Sequence, residues 1–133
     1  MVIVEGRVRG KQRPRYANGH MYTPKETKDY ERQIRKAYIE QSGFNSPFKG
    51  AVKVRIEIYL KVPKSYSKRQ IKAIEEGSDY PTKKPDPDNV AKVVLDAING
   101  TAYLDDKQII ELKIIKRWTI TGSERIEFEV KEL

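Results

Sequence analysis

Apolar and polar residues alternate most cleanly from Val52 to Val62, where Val52, Val54, Ile56, Ile58, Leu60 and Val62 interleave with Lys53, Arg55, Glu57, Tyr59 and Lys61. A period of two predicts a strand with one buried and one solvated face. Val2 to Val8 alternates well enough for a first strand. Ile110, Leu112, Ile114, Trp118 and Ile120 predict another, with Lys116 interrupting the pattern. A turn at Thr121-Gly122 leads to a last strand with Ile126, Phe128 and Val130 on one side. Between these runs the period becomes helical. Tyr30, Ile34, Ala37 and Tyr38 mark a helix that a capping box at Thr23–Glu26 would open, with Pro24 at the first helical position. It runs to about Ser42, where Gly43 stops it. Ser67, with Gln70 three residues on and Gly77 behind, predicts a short second helix. From Asn89 to Ile98, Val90, Val93, Val94, Ala97 and Ile98 form the stripe of a third, and Gly100 sits where it should end. Asn18-Gly19 is a hairpin signal. Strands and helices are interspersed without repeats or linkers. The expected fold is α+β: one domain over residues 1–133, with helices packed on one face of a small mixed sheet.

Composition narrows the function classes. At 133 residues, two separate cores would each be marginal. No run approaches the roughly 18 apolar residues of a membrane span, and MVIVEGRVRG lacks the charged start and long apolar stretch of a signal peptide. The absence of cysteine excludes disulfides, zinc thiolate sites and thiol nucleophiles, and makes a reducing cytoplasm the default compartment. His20 is the one histidine.

Charge is uneven. The chain carries a net +8, and residues 1–36 hold ten Lys/Arg against four Asp/Glu. Arg7, Arg9, Lys11, Arg13 and Arg15 alternate, so an extended backbone would place all five on one side unless Gly10 or Pro14 breaks the run. An edge strand defended by charge would account for them. The density of arginine, suited to forked phosphate contacts, and the nearby Tyr16 and Tyr22 favour a nucleic-acid footprint.

Within this basic chain the segment from Pro85 to Asp106 has five aspartates and one lysine, a local net charge of −4. Crowded carboxylates repel one another and are tolerated where a cation neutralises them. Asp86 precedes a proline and is pushed into an extended conformation, so Asp86 and Asp88, two apart, can project together. Asp88, Lys92 and Asp96 share a helix face opposite the valine stripe. The chain then turns at Gly100 and returns through Asp105 and Asp106, which can meet the first pair. Each residue also has a plainer use. Asp88 can be an N-cap, Lys92 and Asp96 can belong to an exposed ion-pair ladder, and Asp105-Asp106 can be turn residues. Asp96 fits its plain use better than a site role. These uses explain the residues singly and leave the cluster unexplained.

The series Asp86-Pro87-Asp88-Asn89, Lys92, Asp96-Ala97, Gly100 and Asp105-Asp106 with Gln108 resembles the signature of the RusA-type Holliday-junction resolvases, the crossover junction endodeoxyribonucleases. Lys11-Gln12-Arg13-Pro14-Arg15, with Pro24 and Tyr30 beyond, is similar to that family's N-terminal pattern. The likeness covers nearly the whole chain. The acidic block is its specific part, and Pro87 departs from it, standing where an aliphatic residue is more usual.

The resemblance implies metal ligands at Asp86, Asp88 and Asp106, with Asp105 as a further candidate, and a catalytic lysine at Lys92. Lys11, Arg13, Arg15, Lys83 and Lys84 are the candidate DNA contacts. It also implies Mg²⁺ as cofactor with Mn²⁺ as a substitute, a homodimer, four-way DNA junctions as substrate, and a phage or prophage setting. Carboxylates and a lysine suit that chemistry: Mg²⁺ takes oxygen ligands and keeps several waters, and an ammonium stabilises charge at the scissile phosphate. Two other readings stay open. One is a nuclease for other branched DNA such as flaps or forks, and the other a DNA-binding module without catalysis.

Overall fold

The computed structural model describes residues 1–43 and 46–133. Its strands are β1 (Val2–Glu5), β2 (Arg15–Ala17), β3 (His20–Tyr22), β4 (Val52–Lys61), β5 (Ile109–Thr119) and β6 (Arg125–Glu132). The helices are α1 (Lys25–Ser42), α2 (Lys68–Glu75) and α3 (Pro87–Ile98). Four strands form one sheet in the order β1-β6-β4-β5, in which β4 and β5 run parallel and the other neighbours antiparallel. The parallel pair requires a long crossover, which α2 and α3 supply. The domain is therefore α+β, with a mixed sheet and three α-helices among the described residues, as the alternation of periods predicts.

The period-two pattern of β4 decides where the core lies. Val52, Val54, Ile56, Ile58 and Leu60 are buried, together with Val2 and Val4 of β1 and Ile126 and Phe128 of β6. They form one cluster with Tyr30, Ile34 and Tyr38 of α1 and the Val90, Val93, Val94, Ala97, Ile98 stripe of α3. The opposite face stays in water behind charged pairs, among them Arg55–Glu57 at 3.0 Å and Arg117–Glu57 at 3.5 Å. The α1 and α3 helices thus cover one face. The amphipathic α2 has its expected capping box, with Ser67 Oγ accepting from Gln70 N at 3.2 Å and Gln70 Oε1 from Ser67 N at 2.8 Å, yet it buries no residue.

Three local expectations change. The first strand ends at Glu5, because Gly6 turns the chain at φ +116° and Glu124 Oε2 accepts from Val8 N at 2.8 Å, withdrawing it from the ladder. The Thr23 capping box does not form. Pro24 is the N-cap of α1, which moves the third helical position to Thr27, whose hydroxyl instead bonds Gln12 Oε1 at 3.0 Å. The third helix starts two residues early, with Pro87 at its first position, where the missing N–H costs nothing. The Asn18-Gly19 hairpin is present, with φ of +52° and +79° at the two turn residues, as the right-handed strand twist requires.

Candidate active site

The site is assembled on α3 and on the turn that follows it. Asp86 is the N-cap residue of α3, in the extended conformation that Pro87 imposes (φ −67°, ψ 138°), and its carboxylate makes no capping hydrogen bond. Asp88 lies in the first turn. Both are exposed, and with Asp86 as the cap position Asp88 is not needed for that purpose. Lys92, one turn further, is exposed and forms no ion pair with Asp88 or Asp96 among the described residues, so the ladder that would have been its plainer use does not form.

Asp96 points elsewhere. Its Oδ2 is bonded to Lys11 Nζ, and Glu31 of α1 lies 3.9 Å from the same ammonium. The reach is a consequence of backbone docking. Lys11 N donates to Asn89 O at 2.9 Å, and Gly10 presses so close to α3 that an added Cβ would fall 2.9 Å from Asn89 Cβ. Lys11 is therefore committed to the protein in this structure. The basic run is divided: Arg7 and Arg9 border an open cleft, Lys11 turns onto α3, and Arg13 and Arg15 stand exposed at the β2–β3 hairpin. That cleft, about 700 Å³, is also lined by Lys61, Lys83 and Lys84 and leads to Pro85, the neighbour of Asp86. Lys83 additionally lies over the Trp118 ring, 5.4 Å from its centroid.

The return to Asp105 and Asp106 is held by two side chains. Tyr103 is fully buried and its hydroxyl donates to Leu95 O at 2.8 Å. Gln108 uses its whole amide: Oε1 accepts from Leu104 N at 2.8 Å and Asp105 N at 2.9 Å, while Nε2 donates to Phe48 O at 2.9 Å and Gly50 O at 2.8 Å. Asp105 is half-buried and Asp106 exposed. A hydrogen bond with Asp105 holds the Asp106 carboxyl above its ordinary range, and the charges of Asp105 and Asp96 act in the same direction. Burial pushes the Tyr103 phenol up as well, aided by Asp106, Asp96 and Asp105.

The structure thus brings Asp96, Asp105 and Asp106 into one electrostatic neighbourhood. Asp86 and Asp88 lie nearer the other end of α3, Asp88 about 12 Å from Asp96 along the axis at 1.5 Å per residue. Among the described residues no three acidic or histidine side chains form a ready-made metal cage. In donor type the residues fit Mg²⁺ or Mn²⁺, which take carboxylate oxygen. The Asp106 carboxyl is raised first by its hydrogen bond with Asp105 and then by the nearby negative charges, a crowding that a bound cation relieves.

A sequence model of the family described as endodeoxyribonuclease RusA matches residues 5–131. The chain belongs to the RusA family. It is also 34% identical over 135 aligned residues, 98% of this chain and 90% of the other, to the uncharacterized protein YqaN of Bacillus subtilis (strain 168). The RusA match encloses all five aspartates, Lys92 and the basic N-terminal run. Sequence reasoning missed the involvement of Asp96 and Glu31, because the Lys11–Asp96 contact joins residues 85 apart and no local spacing announces it. Gln108 carried a signal, standing three residues behind Asp105 where a capping glutamine belongs. No helix is long and apolar enough to cross a membrane among the described residues.

Proposed function

We propose that this RusA-family chain is a divalent-metal-dependent endonuclease that resolves four-way (Holliday) DNA junctions, acting as a homodimer that makes paired symmetric nicks. The RusA match over residues 5–131 carries this reading, since it spans the acidic turn, α3 and the basic loop together. In it, Asp86, Asp88 and Asp106 hold Mg²⁺, or Mn²⁺ in its place, with Asp105 as an additional oxygen donor. The ion when bound supplies positive charge against the attacked phosphate and activation of water. Lys92 contributes a point charge to the leaving oxygen. Scission of the P–O3′ bond leaves a 5′-phosphate and a ligatable 3′-hydroxyl. A junction presents two equivalent strands, which suits a two-fold dimer with one site per subunit. The Arg13-Pro14-Arg15 element and the lysines at 83 and 84 hold the arms through their phosphates.

The test is cleavage of a mobile four-way junction in Mg²⁺, with cut positions mapped to the nucleotide. Asp86→Asn, Asp88→Asn and Asp106→Asn should each lower cleavage by at least about 10³-fold, while junction binding is kept or strengthened as negative charge is removed. Full activity in any one variant removes that residue from the metal site. Flaps or forks cut faster than junctions would reassign the substrate. Binding without scission of any branched DNA would leave a non-catalytic module.

A further inference from the structure

The β2–β3 hairpin is the least supported part of the fold. It forms a sheet of its own, apart from the four-stranded one, and all six of its strand residues are exposed. Two paired strands alone are marginally stable in water. This pair is held at its roots instead. Before β2, Lys11 N donates to Asn89 O at 2.9 Å and Gln12 N donates to Thr27 Oγ1 at 3.3 Å. After β3, Pro24 is the N-cap of α1. One leg thus springs from the first turn of α3, next to Asp88. Five residues of extended chain carry Tyr16 at most about 17 Å from Lys11.

The pairing sorts the hairpin side chains onto two faces. Tyr16 stands opposite Met21, so both lie on one side, while Arg15 opposite Tyr22 and Ala17 opposite His20 lie on the other. Tyr16 is 70% and Met21 64% exposed. The Tyr16 hydroxyl reaches toward the turn, 4.0 Å from where a Cβ on Gly19 would stand. Among the described residues the side chains of Arg13, Arg15, Tyr16 and Met21 make no hydrogen bond, ion pair or ring contact. The surrounding charge identifies what covers this ring. Between Glu5 and Glu26 the chain has six Lys/Arg and no Asp or Glu, which suits a polyanion. A polyanion whose own flat faces stack on aromatic rings is a nucleic acid.

Within a continuous duplex the neighbouring pairs cover both faces of every base. A branch leaves one face open on the last pair of an arm. We propose that the hairpin reads the branch point. Tyr16, backed by Met21, stacks on a base face left open where strands part, while Arg15 on the opposite face and Arg13 at the root hold phosphates of the adjoining strands. Such stacking tolerates any sequence, because every base has a π-face. The hairpin therefore separates branched from continuous DNA without reading bases. This inference rests on the branched-DNA reading of the proposed function and assigns the discrimination to one ring outside the acidic site.

The test compares binding of a four-way junction with binding of a continuous duplex of the same arm sequence, in Ca²⁺ so that neither is cut. Tyr16→Ala should lower the preference for the junction about tenfold, the size of one lost base stack. Tyr16→Phe should keep it, since the ring and not the hydroxyl stacks. The melting temperature of both variants should match the wild type, because the ring is exposed. A 5-iododeoxyuridine placed at the branch should photocross-link to the wild type and not to Tyr16→Ala. A wild type that binds both DNAs equally removes the branched-DNA reading and this one with it. A wild-type preference that Tyr16→Ala leaves intact, or a branch cross-link undiminished in that variant, overturns the hairpin assignment alone.

Discussion

Tyr30 carries a phenolic hydroxyl into the core, where it has no hydrogen-bond partner among the described residues. Burial pushes its pKa up to about 12, with the backbone of Arg9 acting the other way. Removing an unpaired buried polar atom is neutral or stabilising, so Tyr30→Phe should equal or exceed the wild type in thermal stability at pH 8. A loss above about 1 kcal/mol would mean that the hydroxyl has a partner. The pH dependence follows from the sign of the shift. A folded-state pKa raised from 10.0 to about 12 gives stability that is complete below pH 10 and lost as pH climbs through 12, because the unfolded chain releases the proton first. Urea melts at pH 8 and pH 11.5 should show a smaller alkaline loss in Tyr30→Phe. The remaining loss belongs to Tyr103, Tyr38 and Tyr59, whose phenols burial pushes up in the same way.

At the scale of elements, the Asp105-Asp106 turn depends on Gln108, whose amide ties Leu104 and Asp105 to Phe48 and Gly50 through four hydrogen bonds. Gln108→Ala should cost about 2 kcal/mol, as several half-exposed partners lose a bond each worth 0.5–1.5 kcal/mol. It should also lower the rate of junction cleavage with binding retained, since the carboxylates stay but lose their placement. Unchanged melting temperature and unchanged rate together would count against the tether. The elements differ in how openly the sequence announces them. The β4 strand was fully legible, because both of its faces are written in alternate residues and its neighbours cover only one. The α3 helix was legible from its valine stripe, though its start was not: Pro87 reads as a loop residue unless the cap is placed at Asp86. The α1 cap was misread because Thr23 has the right chemistry one residue too early, and Gln12, from a distant loop, claims Thr27 instead. Asp86, Asp88, Asp105 and Asp106 were visible as a charge anomaly. Lys11 on Asp96 was not, since the docking of Gly10 on Asn89 that carries it there is a tertiary contact.

At the scale of the whole molecule, a net charge of +8 makes association with DNA a matter of counterion release, and the structure separates the cations available for it from those already spent. Arg13 and Arg15 are exposed and free of ion pairs among the described residues, whereas Lys11 is held by Asp96 and Glu31. On duplex arms log K falls with log salt by about 0.9 per phosphate neutralised. Replacing Arg13 and Arg15 together with alanine should therefore weaken junction binding and flatten the slope by about 1.8 if each meets one phosphate. Lys11→Met should leave the slope nearly unchanged, because the charge it removes was balanced within the protein. It should instead lower the rate of cleavage, since it frees the Asp96 carboxylate beside Asp105 and Asp106. Fluorescence anisotropy with a labelled junction in Ca²⁺, from about 50 to 300 mM salt, reads both slopes without turnover. Ca²⁺ fills oxygen sites with a longer, looser coordination than Mg²⁺, so it supports binding while misplacing the reacting water. A slope flattened as much by Lys11→Met as by one of the arginines would place Lys11 on the DNA and show that its bond to Asp96 opens when the junction arrives.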